Sequence, residues 1–194
     1  MNCREKILEH CQTLLAAPEI RTRDLVHLLE QIELTSEDIA QLSQADVSKP
    51  YGRNVLFNHP RLEVMIATWT RGISCAPHDH SVSRSAIRVL QGRSHHRLFK
   101  VQNHQLVETL SERKSVQDVI RCAPLQIHAM GDDAGEAQLI TLHAYSSGID
   151  NMLVYDNGTT MIVSGQCGAW VPDSSELILD YSDGIVTREA FDVQ

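Results

Sequence analysis

Hydrophobic positions change rhythm once along the chain. In the first 46 residues Ile7, Leu8, Cys11, Leu14 and Leu15 recur at helical spacing, and Leu25, Leu28, Leu29 and Ile32 repeat the pattern, which predicts two amphipathic helices. Thr35-Ser-Glu-Asp38 reads as a capping box ahead of a third short helix through Ile39 and Leu42. From Asn54 the runs are short and β-rich, at 54–57, 62–69, 86–90, 97–101, 138–145, 152–155 and 161–163, with 116–122 also strand-like. Asn58-His-Pro60, Gln91-Gly92, Gly131-Asp-Asp-Ala-Gly135 and Asp156-Asn-Gly158 break them at spacings that suit an antiparallel sandwich or barrel. After Gly165 the chain alternates weakly around Leu177, Leu179 and Ile185, with Ser182-Asp-Gly184 as an expected hairpin turn, and should close or cover a sheet edge. The expected fold is mainly β and a single domain: a helical cap over 1–46, a β-barrel core over 47–164 and a C-terminal β extension over 165–194.

A chain of 194 residues is long enough for one sizeable core. With 42% hydrophobic and 22% charged residues it falls in the folded, soluble class. Lys and Arg number 17 against 25 Asp and Glu, a net charge of −8, so the basic footprint that nucleic acid or an anionic membrane requires is missing. No apolar run is long enough for a signal segment or a membrane span, which makes the cytoplasm the expected location. Cys3, Cys11, Cys75, Cys122 and Cys167 form no C-x-x-C pair and are expected to be reduced thiols, mostly in the core. Histidine stands out, with 10 residues, because neutral imidazole is the commonest metal ligand.

His78-Asp79-His80 places two imidazoles at i and i+2, the same side of an extended chain, where both can converge on one ion. An H-x-H pair alone is a weak signal in so histidine-rich a chain; its surroundings say more. The order Gly72, His78, His80, Gly92 resembles the first motif of the cupin superfamily, small jelly-roll-like β barrels whose histidines hold a metal inside the barrel. The superfamily's usual glutamate ligand would fall at or next to Ser85, too short and too weakly basic to replace it, so one ligand must come from elsewhere. His128 stands where a second cupin motif would place its histidine, although the usual glycine is absent. Further on, Thr141, His143 and Tyr145 share one strand face while Leu142 and Ala144 take the other; in an isolated antiparallel strand that polar stripe would as readily face water.

Together these residues resemble the cysteine dioxygenases, thiol dioxygenases of the cupin superfamily. The resemblance rests on Tyr51-Gly-Arg-Asn54, His78-Asp-His80, His128 and Thr141-Leu-His-Ala-Tyr145-Ser-Ser-Gly-Ile-Asp150, in the family's order, and covers roughly residues 20–156. It implies a cupin barrel behind the helical segment, with Fe(2+) held by His78, His80 and His128. It further implies that Arg53 binds the substrate carboxylate, that Tyr51 lines the pocket, and that Thr141, His143 and Tyr145 form a hydrogen-bonded row ending in the active-site tyrosine. The implied reaction is oxidation of L-cysteine by O2 to cysteine sulfinic acid, in cysteine catabolism. Three neutral imidazoles leave a divalent iron its full charge and open positions, which favours an anionic thiolate, and a guanidinium fork matches a carboxylate.

Two other readings stay open. One is a dioxygenase for another small thiol acid such as 3-mercaptopropionate, reached through Arg84 and Ser85; Arg53 weighs against it, since related enzymes for that substrate tend to carry glutamine there. The other is a non-catalytic metal-binding sensor cupin, which would need neither Arg53 nor Tyr145. Ser85 stands where many animal members have a cysteine linked by a thioether to the tyrosine, as bacterial members usually do not, so Tyr145 is expected to be unmodified. Period two turns Arg84 away from Ser85 and outward, and sends His95 and His96 to opposite faces. His10, His27, His59 and His104 are expected at the surface, Asp79 as a structural acid, and Cys75 and Cys122 in the core. The expected partners are the thiol and O2, with a monomer plausible.

Overall fold

Each N-terminal helix starts on a cap that the sequence supplies. In α1 (Cys3–Leu15) the Asn2 side chain accepts from the Glu5 N–H at 2.9 Å while the Glu5 carboxylate accepts from the Asn2 N–H at 2.8 Å. Asp24 accepts from the Arg21 N–H ahead of α2 (Thr22–Gln31), and the expected Thr35/Asp38 box opens α3 (Ser36–Leu42). The computed structural model describes residues 2–165, 168–170 and 175–191, so Cys167 lies outside the described residues. Among them no helix is long and apolar enough to cross a membrane.

Eleven strands follow among the described residues: β1 (Tyr51–His59), β2 (Leu62–Trp69), β3 (Arg84–Gln91), β4 (Arg93–Gln102), β5 (Gln105–Ser115), β6 (Val119–Cys122), β7 (Ile127–Asp132), β8 (Ile140–Ser146), β9 (Asn151–Asp156), β10 (Thr159–Ser164) and β11 (Ile178–Ser182). One antiparallel sheet runs β1-β2-β8-β3-β6. Its register lines up Glu63, Tyr145, Ser85 and Cys122 in one row, Met65, His143, Ile87 and Ile120 in the next, Arg53, Ala67, Thr141 and Val89 in a third, and Tyr51 with Trp69 in a fourth. These rows face the molecule's main core. The alternate residues Val64, Ile66, Ala86, Leu142 and Ala144 face the helices and pack with Leu25, Leu28 and Leu29 of α2. Burial on both faces explains why β2 reads as a nearly continuous apolar run, whereas β8 is buried on both faces yet carries the polar stripe of Thr141, His143 and Tyr145 on its inner one.

Facing this sheet are two three-stranded sheets, β5-β4-β7 and β11-β10-β9. Residues 74–78 stitch them together: Ser74 bridges Gly131 on β7, while His78 bridges His128 on β7 and Val154 on β9. His78 and His128 exchange both backbone hydrogen bonds at 2.9 Å, and Tyr155 N donates to Pro77 O at 2.9 Å. This segment is therefore an irregular strand in the middle of a sheet, which pins His78 to the neighbours on both sides. Gly52, in the Tyr51-Gly-Arg53 motif, lies so close to the 44–46 turn that a Cβ there would run into the Gln44 carbonyl oxygen.

Three sequence expectations need correction. β7 was not among the expected runs, and Gly131 and Asp132, expected to break a strand, form its last residues. β5, with 11 residues, was not foreseen, because it is an edge strand exposed along most of its length and carries no alternation to read. Ser182-Asp-Gly184 makes no hairpin: the Thr160 hydroxyl donates to Gly184 O at 2.7 Å and accepts from the Val186 N–H at 3.1 Å, and the chain continues into α4 (Arg188–Phe191). β11 does cover the edge of β10, and Ile185 and Phe191 close a small core with Leu153 and Tyr155.

Candidate metal centre and pocket

His78, His80 and His128 converge on the inner face, with His80 Nε2 at 3.1 Å from His78 Nε2 and 3.2 Å from His128 Nε2. The partners of the other ring nitrogens fix where the protons are on His78 and His128. His78 Nδ1 lies 2.9 Å from the Ala76 carbonyl, which can only accept, so His78 carries its proton on Nδ1. His80 Nδ1 lies 3.1 Å from Ser85 Oγ. The Glu112 carboxylate, 3.4 Å from His96 Nδ1, also only accepts; this leaves His96 Nε2 as a lone pair for the Nδ1–H of His128 at 3.3 Å. The Nε2 lone pairs of His78 and His128 then face His80 Nε2, and with the His80 proton on Nδ1 toward Ser85 all three lone pairs converge, an arrangement that a cation satisfies. Metal–nitrogen bonds of about 2.1 Å set adjacent donors roughly 3 Å apart, so the donor set fits a divalent ion.

Burial keeps these imidazoles neutral: it pushes His78 down to about 4 and His80 and His128 well below the usual histidine range. It pushes Cys75 and Cys122 up to about 12, so both remain thiols, packed in the core as expected. Cys122 and the Nδ1 side of His128 also lie near His96, but the chain Glu112–His96–His128 already fills that side. A group buried neutral stabilises the fold fully only above its unfolded pKa, near 6.5. The metal-free protein should therefore lose up to about 1.4 kcal/mol per histidine per pH unit as pH falls below that value. Denaturant melts at pH 7 and pH 5 measure this, and equal stability at both would contradict the neutral assignment.

The predicted row on β8 is complete and has one more member. Trp69 Nε1–H, which can only donate, lies 2.8 Å from Thr141 Oγ1; Thr141 Oγ1 is 2.7 Å from His143 Nε2, and His143 Nδ1 is 2.9 Å from Tyr145 Oη. The direction that gives the protons of Trp69, Thr141 and His143 each an acceptor within the row runs from Trp69 to Thr141, from Thr141 to His143 and from His143 to Tyr145, leaving the Tyr145 proton to donate outside it. Burial, helped by Arg53, holds His143 down at about 3 and so neutral, as this direction requires. Burial also raises the Tyr145 phenol well above its usual value, with Tyr51 and Glu63 adding to the effect. Tyr145 thereby keeps its proton, its ring edge-on to His80 at 5.2 Å between centroids. Tyr51 is packed between Trp69 and Trp170, and its hydroxyl accepts from the Ala169 N–H.

Arg53 faces the same interior but already has partners: Glu63 Oε1 at 3.1 Å, Gly165 O at 3.1 Å and Met65 Sδ at 3.3 Å. Burial disfavours its charge, yet Tyr51, Glu63 and Tyr145 outweigh this and push the guanidinium further up. Ser85 points inward and is fully buried, leaving Arg84 on the opposite face of β3.

Sequence reasoning missed Glu63, Trp69, His96 and Arg188. Period two did place His95 and His96 on opposite faces, but the role of His96 depends on the β4–β7 register, which sets Leu98 opposite His128 and His96 opposite Met130. His96→Ala should weaken metal binding by about 10- to 100-fold, the usual cost of losing the group that orients a ligand, and His96→Gln should recover part of it. Competition with a chelator measures both; undiminished affinity in His96→Ala would remove His96 from the site. Arg188 forms a two-pronged ion pair with Asp79, at 2.9 and 3.0 Å, while Asp79 Oδ1 also accepts from the Leu153 and Ser81 N–H groups. The acid between His78 and His80 is thus a structural anchor.

An uncharacterized conserved protein with a double-stranded beta-helix domain from Klebsiella pneumoniae matches this fold at a TM-score of 0.50 and 14% identity, covering 64% of this chain and 100% of that one. Fold and site together define a cupin with a candidate three-histidine metal centre. The family model for cysteine dioxygenase type I matches residues 5–158, and the chain belongs to the cysteine dioxygenase family. Cysteine dioxygenase type 1 of Danio rerio is 22% identical over 161 residues, 80% of each chain. That of Homo sapiens is 22% identical over 173 residues, 84% of this chain and 86% of that one.

Proposed function

We propose that the protein is an iron-dependent thiol dioxygenase that converts L-cysteine and O2 to cysteine sulfinic acid. The observation that carries this reading is the convergence of the Nε2 atoms of His78, His80 and His128 beside the hydrogen-bonded row that ends in Tyr145. His78, His80 and His128 would hold Fe(2+), which when bound supplies the site for thiolate and O2 activation. Arg53 binds the substrate carboxylate through the N–H groups that its present partners leave over. Tyr145 donates a hydrogen bond toward the reacting groups, and Trp69, Thr141 and His143 hold it in that sense. Cys3, Cys11, Cys75 and Cys122 are free thiols, which accords with a reducing cytoplasm.

Oxygen uptake and sulfinate formation by the iron-loaded protein, with L-cysteine and 3-mercaptopropionate side by side, test the proposal. Cysteine sulfinate should form, and Arg53→Gln should impair its production. Faster turnover of 3-mercaptopropionate would transfer the assignment to that substrate, and no oxidation of either thiol by an iron-loaded protein would refute the enzymatic reading.

A further inference from the structure

The Arg53–Glu63 pair does not follow from the proposed reaction. A clamp meant only for a substrate carboxylate would wait unpaired, and a site built that way rejects an analogue lacking the group by about 10⁴- to 10⁵-fold, because the buried polar group is left without a partner. Here the clamp brings its own carboxylate. Glu63 lies ten residues from Arg53 across the β1–β2 hairpin, opposite Tyr145 in the same inward row, and the two side chains are only 23% and 14% exposed for Arg53 and Glu63. Glu63 uses one oxygen for Arg53; its other oxygen has no hydrogen-bond partner among the described residues. The pair also borders a cleft of about 480 Å³ that Asp150 lines as well, so two carboxylates and one guanidinium meet whatever enters.

We propose that Glu63 is a specificity-determining residue that admits small aminothiols without a carboxylate, of which 2-aminoethanethiol is the simplest, alongside cysteine. The proposal rests on the thiol-oxidation reading above. With Glu63 on Arg53, a thiol lacking a carboxylate leaves no charge stranded, and its ammonium group is attracted by the Glu63 and Asp150 carboxylates of the cleft that borders the pair. A substrate carboxylate, by contrast, must share one guanidinium with Glu63, which weakens its advantage. In the reaction, both atoms of O2 are added to sulfur and the thiol becomes the sulfinic acid. Sulfur gives up four electrons, O2 takes all four, and no other reductant enters.

The test compares kcat/KM for L-cysteine, 2-aminoethanethiol and 3-mercaptopropionate in the iron-loaded wild type and in Glu63→Gln, with sulfinate quantified. Anaerobic calorimetric titration of each thiol adds a binding readout that does not depend on turnover. In the wild type, 2-aminoethanethiol should be used within about tenfold of cysteine. Glu63→Gln should strengthen binding of both carboxylate-bearing thiols and shift the cysteine/2-aminoethanethiol ratio by about 100-fold toward cysteine. The wild-type ratio is informative even if the variant fails to fold: rejection of 2-aminoethanethiol by more than about 10³-fold overturns the proposal. So does a ratio unchanged in a folded Glu63→Gln while cysteine is oxidised normally, which leaves the dioxygenase reading intact. Failure of the wild type to oxidise any of the three thiols overturns both.

Discussion

Alanine in place of His80 is expected to abolish metal retention and thiol oxidation together. The remaining imidazoles, His78 and His128, would then offer two donors in a site whose third position nothing nearby can fill: Ser85 Oγ, 3.1 Å from His80 Nδ1, is too weak a base. The loss in affinity should exceed the roughly 10- to 100-fold that follows removal of an orienting partner, and so exceed the effect of His96→Ala. Metal analysis of the purified variant and chelator competition measure it. A His80→Ala protein that keeps a full complement of metal and oxidises thiol normally would show that the ion sits elsewhere.

Asp79→Ala should give the largest loss of stability. Asp79 is 2% and Arg188 13% exposed, so removing the carboxylate takes the counter-charge from a mostly buried guanidinium, which keeps its hydrogen bond to Asn151 Oδ1 at 2.9 Å, and deprives the Leu153 and Ser81 N–H groups of their acceptor. Breaking such a pair from one side costs about 3–5 kcal/mol. Urea denaturation of the metal-free variant measures the loss, and the double variant Asp79→Ala/Arg188→Met should recover part of it. A single variant destabilised by less than about 1 kcal/mol, the range of exposed pairs, would mean that the pair anchors nothing. Because Asp79 lies between two ligands, metal affinity should fall in parallel.

The parts of the site that sequence reading captured are local ones. His78 and His80 sit two residues apart, and Thr141, His143 and Tyr145 follow period two along a single strand; for these, spacing alone fixes the shared face. What escaped depends on which strands become neighbours. Glu63 meets Arg53 through the β1–β2 pairing, Trp69 meets Thr141 between β2 and β8, His96 meets His128 between β4 and β7, and Arg188 reaches Asp79 over more than a hundred residues. The helices were legible because their caps and apolar stripes are short-range signals. β5 was not, because a strand that buries little leaves its pairing no imprint on composition.

The stitched segment sets how an ion would come and go. His78 and His128 are joined through their own backbones, so the backbones that carry those two donors separate only if the sheet opens. His80 lies just past the seam, in a turn closed by the Ser83 N–H on its carbonyl at 3.0 Å and followed by Ser81 at a φ of 52°. Two of the three donors therefore form a rigid jaw and the third a latch. Exchange of the ion should proceed by swinging the latch, at a rate governed by the His80–Ser85 hydrogen bond rather than by unfolding of the barrel.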